Sequence, residues 1–254
     1  MPAPQKIAVA GATGRVGAHI VDVLTERGHE VVPMARAVGV DVISGEGLAD
    51  AVAGADCIVD AATGPSPDRQ VAAEFFTTAT HNLQAAGAAA GVGRAVVLSI
   101  IGTDRFTSGY NAAKAAHERA ALAGPIPVQV LRAAQFHEFV PQLVAWGTQG
   151  ETAYVQRMRT QLVAARAVAE AVADLVEAPV PEGSPVSEVA GPREESLVEA
   201  ATLLAARRGL PVEVVGVSDP ADPDRELLES GALLPGPGAV LAGPTFEEWL
   251  DASV

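Results

Sequence analysis

Apolar residues recur along the first half of the chain in two alternating patterns. Short runs rich in β-branched residues predict buried strands over residues 6–10, 30–34, 40–43, 56–60, 94–99 and 128–131. Between them, apolar residues at helical spacing predict helices over residues 15–27, 47–52, 70–90 and 111–122. Regular alternation of strand and helix is typical of a parallel sheet covered by helices on both faces. We therefore predict an α/β fold with a Rossmann-type doubly wound parallel sheet.

The pattern becomes less regular after residue 135. Helices are predicted over residues 136–146, 160–177 (after a short extended entry), 194–208 and 246–252, and strands over residues 152–155, 186–190 and 212–217. No clear linker separates this half, although an independent small domain is the alternative. We predict a dinucleotide-binding core over residues 1–135. Residues 136–254 are then a smaller C-terminal region that completes the sheet and covers a substrate pocket, in one structural unit.

Composition and charge narrow the class of partner. Hydrophobic residues make up 49% of the 254 residues and aromatic ones only 4%, so the core consists mainly of small aliphatic side chains. The net charge of −14 disfavours nucleic acid and anionic membrane surfaces, which need clustered Lys and Arg. We see no apolar run of about 18 residues and no room for a signal peptide before the first strand. A single cysteine, Cys57, precludes an intramolecular disulfide, as is typical of a cytoplasmic protein, and its position in an apolar run predicts a buried, inert thiol.

A glycine-rich turn follows the first predicted strand. It reads Gly11-Ala-Thr-Gly14-Arg-Val-Gly17 and opens a predicted helix. Residues without a Cβ allow the backbone to approach a pyrophosphate closely, and free N–H groups at a helix start face the anion. We therefore predict a dinucleotide site that includes Gly11, Thr13, Gly14, Arg15, Val16 and Gly17.

The end of the second predicted strand indicates which dinucleotide is bound. NAD-binding members of this fold place an Asp or Glu there to bind the ribose 2′-hydroxyl, whereas this chain has Arg36. A guanidinium pairs well with a 2′-phosphate, and Arg15 in the glycine turn is expected to reach the same group. The alternative is that both are ordinary surface cations. We predict a preference for NADP(H) over NAD(H).

Further cofactor contacts are expected at the carboxyl ends of the predicted strands. Asp41 is either an acceptor for the adenine amino group, next to a backbone contact from Val42, or only a solvated acid. The other contacts are expected in the loops after later strands and in the predicted catalytic group: Ala61, Ala62, Thr63, Ser99, Lys114, Ala134, Gln135 and Phe136.

Three residues form a predicted catalytic group. Tyr110 and Lys114 are four residues apart on a predicted helix and therefore share a face. A lysine ammonium one turn away would lower the pKa of the phenol, which makes it a better acid or base. Ser99 ends the preceding strand and is positioned to hydrogen-bond a substrate carbonyl.

These motifs resemble those of the short-chain dehydrogenase/reductase superfamily, in particular its atypical, NmrA-like NAD(P)H-binding branch. The similarity covers nearly the whole chain. It rests on the glycine turn, Leu98-Ser99-Ile-Ile-Gly102, Tyr110-x-x-x-Lys114, Leu131-Arg-Ala-Ala-Gln-Phe136-His-Glu-Phe139, Ala190-Gly-Pro192 and Thr245-Phe-Glu-Glu-Trp249-Leu. One departure is Arg132-Ala133, where many relatives have Arg-Pro. The resemblance implies NADP at the glycine turn and reductase roles for Ser99, Tyr110 and Lys114.

Two functions are consistent with these features. The first is an NADP(H)-dependent oxidoreductase that reduces a carbonyl-type small molecule, with Tyr110 as acid/base. The second is an NmrA-like sensor or regulatory protein that binds NADP(H) without turnover, although the Tyr/Lys pair, which many NmrA-like members lack, favours an enzyme. Within the enzyme class, a quinone or flavin-type reductase is a further alternative.

Other residues complete the expected site and assembly. His137 and Phe136 are expected to contact the substrate, whereas Phe139 and Trp146 are expected to pack in the core. Asn82 resembles a family position near the active site, or it only caps or packs. The histidines show no metal-ligand spacing, and a homodimer through helices 70–90 and 111–122 is possible.

Overall fold

A computed structural model describes residues 3–179 and 183–252 of the chain. Within them the α-helices are α1 (Arg15–Glu26), α2 (Leu48–Val52), α3 (Arg69–Ala90), α4 (Gly109–Leu122), α5 (Val140–Gly147), α6 (Ala165–Glu177), α7 (Leu197–Arg207), α8 (Arg225–Ser230) and α9 (Phe246–Ala252). The strands are β1 (Lys6–Ala10), β2 (Glu30–Met34), β3 (Cys57–Asp60), β4 (Arg94–Ile100), β5 (Val128–Ala133), β6 (Thr148–Gln149), β7 (Thr152–Gln156), β8 (Arg159–Thr160), β9 (Val186–Ala190), β10 (Glu195–Ser196), β11 (Glu213–Val217) and β12 (Val240–Leu241).

The core is a seven-stranded sheet with the order β12-β9-β5-β4-β3-β1-β2. All neighbouring strands in it are parallel. Helices α1 and α6 pack together on one face, and α3 and α4 pack together on the other. The prediction of a Rossmann-type α/β fold is confirmed. Because β9 and β12 come from the second half of the chain, that half completes the sheet.

Burial explains why these segments form a two-sided sheet. Every residue of β3 is buried, as expected for a strand covered on both faces. On α1, the apolar positions predicted from helical spacing (Val16, Ile20, Val23 and Leu24) are buried against the sheet. Cys57 is a buried free thiol, as predicted, and burial raises its pKa to about 12, which leaves it unreactive near neutral pH.

One predicted strand of the first half is absent, because residues 40–43 form a turn. The backbone N–H of Asp41 donates to the carbonyl of Glu46, and its carboxylate accepts from the N–H of Ile43 at 2.8 Å. The side-chain amide of Asn82 donates to the carbonyls of Val42 and Ile43, at 2.9 and 2.8 Å. These partners occupy the backbone groups that a strand at the edge of β2 would need.

The remaining elements form a smaller layer beside the sheet. Strands β11, β7 and β6 make a separate three-stranded sheet, which α5 and α7 cover. Trp146 of α5 is 61% exposed and meets Phe139 edge-to-face at 5.6 Å, so the expectation that Trp146 packs in the core is wrong. In the described part of the chain, none of the helices is both long and apolar enough to cross a bilayer.

Candidate active site

The site lies at the carboxyl edge of the sheet, where the strand order reverses. From β1 the chain moves outward to β2, and then returns to β3 on the other side of β1. Ligands in open α/β sheets bind in the crevice at such a switch point. The turn after β1 and the loop after β3 meet there, because the N–H of Ala61 donates to the carbonyl of Ala10 at 3.1 Å.

The glycine turn has the geometry of a backbone cradle for an anion. Gly11 has a φ of +77°, and a Cβ at this position would lie 2.6 Å from the carbonyl oxygen of Ala61. A Cβ on Gly17 would lie 2.0 Å from the carbonyl oxygen of Gly11. No side chain caps the start of α1, and its first turn contains no acid. These residues therefore fit a dinucleotide pyrophosphate, which the backbone N–H groups at the helix start would bind.

The two predicted phosphate-binding arginines lie in different surroundings. Arg36 is in the short 3-10 helix after β2 and is exposed; within residues 3–179 and 183–252 no carboxylate pairs with it. The guanidinium of Arg15 donates to the side chain of Gln142 at 2.7 Å and lies over the Phe139 ring at 5.8 Å. In this conformation Arg15 is directed toward α5, so the prediction of a 2′-phosphate site rests on Arg36.

The predicted adenine contacts lie in the turn that replaces the expected strand. The backbone of Val42 is held by Asn82 of α3, which makes Asn82 a support for this turn. The carboxylate of Asp41 is engaged with the turn's own backbone. Asp41 and Val42 are thus beside the end of β2, where an adenine contact stays a prediction.

Tyr110 lies at the start of α4 and faces the loop after β3. Its hydroxyl forms a 2.8 Å hydrogen bond with the hydroxyl of Thr63. Burial raises the pKa of Tyr110, and the hydrogen bond with Thr63 only partly opposes this effect. The phenol is therefore protonated at neutral pH. The loop of residues 61–63 consequently connects the glycine turn to the predicted acid.

Lys114 does not reach Tyr110, so the expected pairing of the two side chains is wrong in this structure. The ammonium is buried and donates to the carbonyl of Leu98 at 2.8 Å and to Nδ1 of His117 at 2.9 Å. Its nitrogen also lies 4.3 Å from the centroid of the Phe76 ring. Two of its three N–H donors are therefore used inside the protein, and its expected contact with the cofactor stays a prediction.

A buried chain of polar groups fixes this lysine. Nε2 of His117 lies 3.0 Å from the carboxylate of Asp60, so it carries the proton that it donates, and Nδ1 accepts from Lys114. Burial lowers the pKa of Lys114 to about 8, against the opposing charges of Asp60 and Glu118. Burial and the charge of Lys114 also lower the pKa of His117, which keeps its ring neutral.

Asp60 stays ionised at the other end of this chain. Burial alone would raise its pKa, but the hydrogen bond from His117 and the charge of Lys114 hold the pKa below its ordinary value. Of these three residues, the sequence motifs predict a functional role only for Lys114. Two features of the sequence indicate the other members: Asp60 is the single charged residue of an otherwise apolar strand, and His117 is three residues after Lys114 and so shares its helix face.

Ser99 lies on the same face of the sheet as Asp60. It is 2% exposed, and its hydroxyl has no hydrogen-bond partner among the described residues. Next to it in register, Arg132 pairs with Glu118 of α4 through two hydrogen bonds of 2.9 and 2.7 Å. The unpaired hydroxyl at the carboxyl end of β4 is consistent with the predicted contact to a ligand carbonyl.

The segment after β5 is held by residues 160–163, which lead from β8 into α6. The carbonyl of Gln135 accepts from the N–H of Val163 at 3.0 Å, and Phe136 forms an isolated bridge with the same residue. The side chain of Gln135 hydrogen-bonds to Thr160. Ala134 is buried, whereas Gln135 and Phe136 are partly exposed. The expected cofactor contacts of this segment stay predictions.

His137 is buried, and the expectation that it contacts substrate is wrong in this structure. It is 0% exposed, and its ring lies 5.5 Å from those of both Phe246 and Trp249 in α9. Burial lowers its pKa to about 4, against a smaller effect of the Leu162 backbone. Phe136 is the remaining predicted substrate contact.

A known family and several solved structures are similar to this chain. The model of the NAD dependent epimerase/dehydratase family matches residues 7–123, which run from β1 to the end of α4. The match therefore contains the glycine turn and the three predicted catalytic residues. No curated protein sequence matches the chain significantly.

Solved structures share the fold over nearly the whole chain. Among them are the Bordetella bronchiseptica enzyme WbmH in complex with NAD+, MoeE5 in complex with UDP-glucuronic acid and NAD, and dTDP-4-dehydrorhamnose reductase from Bacillus anthracis in complex with NADP. Their identities to this chain are 17%, 21% and 16%, with TM-scores of 0.70, 0.71 and 0.71. The alignments cover 98% of this chain and 97%, 100% and 98% of the respective neighbours.

Proposed function

We propose that this protein is an NADP(H)-dependent oxidoreductase that reduces a carbonyl group of a small molecule. The observation that carries the proposal is the continuous path from the glycine turn through residues 61–63 to the hydroxyl of Tyr110. The match to a family of NAD-dependent enzymes and the nicotinamide cofactors in similar structures support a nicotinamide cofactor here. The resemblance to short-chain reductases supports the reaction type.

The residues at the site have distinct roles in this proposal. Gly11 and Gly17 let the backbone approach the pyrophosphate, and Arg36 binds the 2′-phosphate. The bound nicotinamide would supply a hydride to the carbonyl carbon. Tyr110 donates its proton to the carbonyl oxygen, and Thr63 orients the phenol. Ser99 donates a hydrogen bond to the same oxygen.

The protonation state of Tyr110 fits the role of an acid in the proposed reduction. Without a cation beside it, the phenol keeps its proton at neutral pH, because burial raises its pKa. A protonated phenol is ready to act as an acid toward an alkoxide, which is a far stronger base than a phenolate. The oxidation of an alcohol would require the opposite protonation state.

A second candidate function is an NmrA-like sensor that binds NADP(H) without turnover. The engagement of Lys114 with His117 and Leu98 specifically favours it, because Tyr110 then lacks the cation that would tune its pKa. In that case ligand binding would alter association with a partner. Sustained oxidation of NADPH by purified protein with any acceptor excludes the sensor-only function.

The substitution Tyr110→Phe tests the proposed chemistry. It removes the donated proton and keeps the ring, so we expect turnover to fall at least ~10²-fold while the affinity for NADPH is retained. Activity is followed as NADPH oxidation with aldehydes, ketones, quinones and keto sugars linked to nucleotides, since one similar structure is a dehydrorhamnose reductase. Affinity is measured by NADPH fluorescence.

The matched control is Tyr154→Phe. Tyr154 is the other tyrosine of the chain, lies on β7 and is 41% exposed. We expect this variant to keep full turnover. Normal turnover in Tyr110→Phe would show that the acid has been assigned wrongly.

The substitution Arg36→Glu tests the proposed cofactor preference. It replaces the guanidinium that would bind the 2′-phosphate with a carboxylate, as in NAD-binding proteins of this fold. We therefore expect the affinity for NADPH to fall at least about tenfold and the affinity for NADH to change less. Arg208→Glu, at an exposed arginine after α7, controls for the change in net charge. Equal loss of both affinities in Arg36→Glu would refute the role of Arg36.

A further inference from the structure

One carboxylate from the C-terminal half receives hydrogen bonds from two consecutive residues before α4. Asp224 accepts from the N–H and the hydroxyl of Thr107, at 2.7 and 2.8 Å. It also accepts from the N–H and the hydroxyl of Ser108, at 2.6 and 2.9 Å. Asp224 is 5% exposed. Burial would raise its pKa, but these hydrogen bonds hold the pKa below its ordinary value, so the group is an anion.

This anion lies at the start of the helix that carries Tyr110. Ser108 is the N-cap residue of α4; its hydroxyl makes no capping bond within the helix and instead donates toward Asp224. A negative charge near a helix N-terminus stabilises the first turn. Asp222 lies beside this contact: its carboxylate accepts from the N–H of Asp224 at 2.9 Å and is 3.1 Å from the Ser108 hydroxyl, whose single proton it shares with Asp224.

The same C-terminal segment also holds the other end of the loop before α4. Gly102 follows β4, and a Cβ there would lie 2.0 Å from the carbonyl oxygen of Ala232. Between these two points, Phe106 is buried in one cluster with Leu228 and Leu233. Residues 222–233 therefore contact the loop of residues 102–108 at its beginning, middle and end.

We propose that Asp224 is a positioning residue for Tyr110, which fixes the start of α4 so that the phenol meets Thr63. The positioning of Tyr110 by Asp224 is a structural inference, and only its expected effect on the reaction rate rests on the proposed function. Tyr110 is the second residue of α4, so a shift of the N-cap moves it directly. A small displacement of a catalytic acid lowers the reaction rate strongly. Because Asp224 does not contact the glycine turn, its loss should leave the affinity for the cofactor unchanged.

The substitution Asp224→Asn is the first test, since it keeps the size of the side chain and removes its charge. We expect kcat to fall at least about tenfold, with the NADPH dissociation constant within about twofold of the wild-type value. Asp224→Glu, which restores a carboxylate, is expected to recover part of the rate. Asp219→Asn is the matched control, because the Asp219 carboxylate caps only its own turn, at the N–H of Ala221.

A second readout does not depend on turnover. The chain has two tyrosines, so protein labelled with 3-fluorotyrosine gives two ¹⁹F NMR signals, which Tyr110→Phe assigns. We expect Asp224→Asn to shift or broaden the Tyr110 signal and to leave that of Tyr154 unchanged. If Asp224→Asn does not fold, Ser108→Ala, which removes the hydroxyl contact alone, is expected to change the Tyr110 signal in the same way.

An unchanged Tyr110 signal together with a normal kcat in Asp224→Asn would overturn the inference. An unchanged signal with a reduced kcat would also overturn it, because Asp224 would then act by another route. If Tyr110→Phe retains turnover, the proposed function fails, but a shifted Tyr110 signal still supports the structural role of Asp224.

Discussion

Lys114 and His137 are ionisable residues whose sequence context predicts a role in catalysis or substrate binding. Both are buried and contact other parts of the protein instead. Lys114 has the spacing of a catalytic lysine, yet its ammonium is bound by Leu98 and His117 inside the protein. His137 follows a predicted pocket segment, yet it is packed against the aromatic rings of α9. In both cases the residue type is favourable for catalysis, but the direction of the side chain decides its role.

The burial of His137 predicts a dependence of stability on pH. Its folded pKa of about 4 lies below the ordinary value of 6.5, so between these values the unfolded chain binds a proton that the folded protein does not. The free energy of unfolding therefore decreases as the pH falls through this range. Between about pH 7 and about pH 4.5, His137 should contribute a loss of about 2 kcal/mol.

The comparison of wild type with His137→Leu isolates this contribution. Urea unfolding at several pH values gives the free energy, and the effects of other groups, including His117, are common to both proteins. We expect the wild type to lose about 2 kcal/mol more than the variant on acidification. Parallel pH profiles would mean that His137 does not remain neutral in the folded protein.

At the scale of elements, the glycine turn was the most predictable part of the site. Strand β1 has the predicted bounds, and α1 differs from its predicted range by one residue at its end. The turn depends only on local features: a short loop, glycines without a Cβ and an apolar helix face. Because these features lie within a few neighbouring residues, they can be predicted from the sequence pattern. By contrast, residues 40–43 have a strand-like composition but form a turn, because Asn82, far along the chain, occupies their carbonyls.

Two glycines of this turn should respond differently to alanine. The Cβ of Gly17→Ala would lie 2.0 Å from the carbonyl of Gly11, so the turn must open, whereas in Gly14→Ala the distance is 3.1 Å. We expect Gly17→Ala to lower NADPH affinity at least about tenfold and to destabilise the fold by about 1–3 kcal/mol. Gly14→Ala should have a smaller effect on both.

Fluorescence titration with NADPH and thermal unfolding measure these two effects. Gly14→Ala is the matched control, because it makes the same chemical change three residues away in the same turn. If Gly17→Ala binds NADPH as tightly as Gly14→Ala does, the close backbone approach at this turn is not required for binding.

At the scale of the whole molecule, the two halves of the chain share one sheet. Strands β9 and β12 extend it beyond β5, and α6 of the second half packs against α1 of the first. Asp224 adds a polar contact between the C-terminal segment and the start of α4. We therefore propose that residues 1–135 and 136–254 unfold together as one unit.

Two spectroscopic or chemical probes, one in each half of the chain, test this proposal during unfolding by denaturant. Both tryptophans, Trp146 and Trp249, lie in the second half, so their fluorescence reports its unfolding. The only cysteine, Cys57, is buried in β3, so labelling of its thiol reports unfolding of the first half. We expect both midpoints to coincide. A fluorescence transition that precedes Cys57 labelling would show that the second half unfolds separately.

The sequence pattern alone is enough to predict the alternation of strands and helices, the glycine turn and a helix that begins next to Tyr110. These features depend on side-chain periodicity and backbone freedom over a few neighbouring residues, which are visible in one dimension. Three other features appear only in the folded protein: Lys114 is bound by Leu98 and His117, His137 is packed against α9, and Asp224 binds the two residues before α4. Each of these three features depends on contacts between residues that are far apart in the sequence. A local sequence pattern does not show which distant residues come into contact when the chain folds.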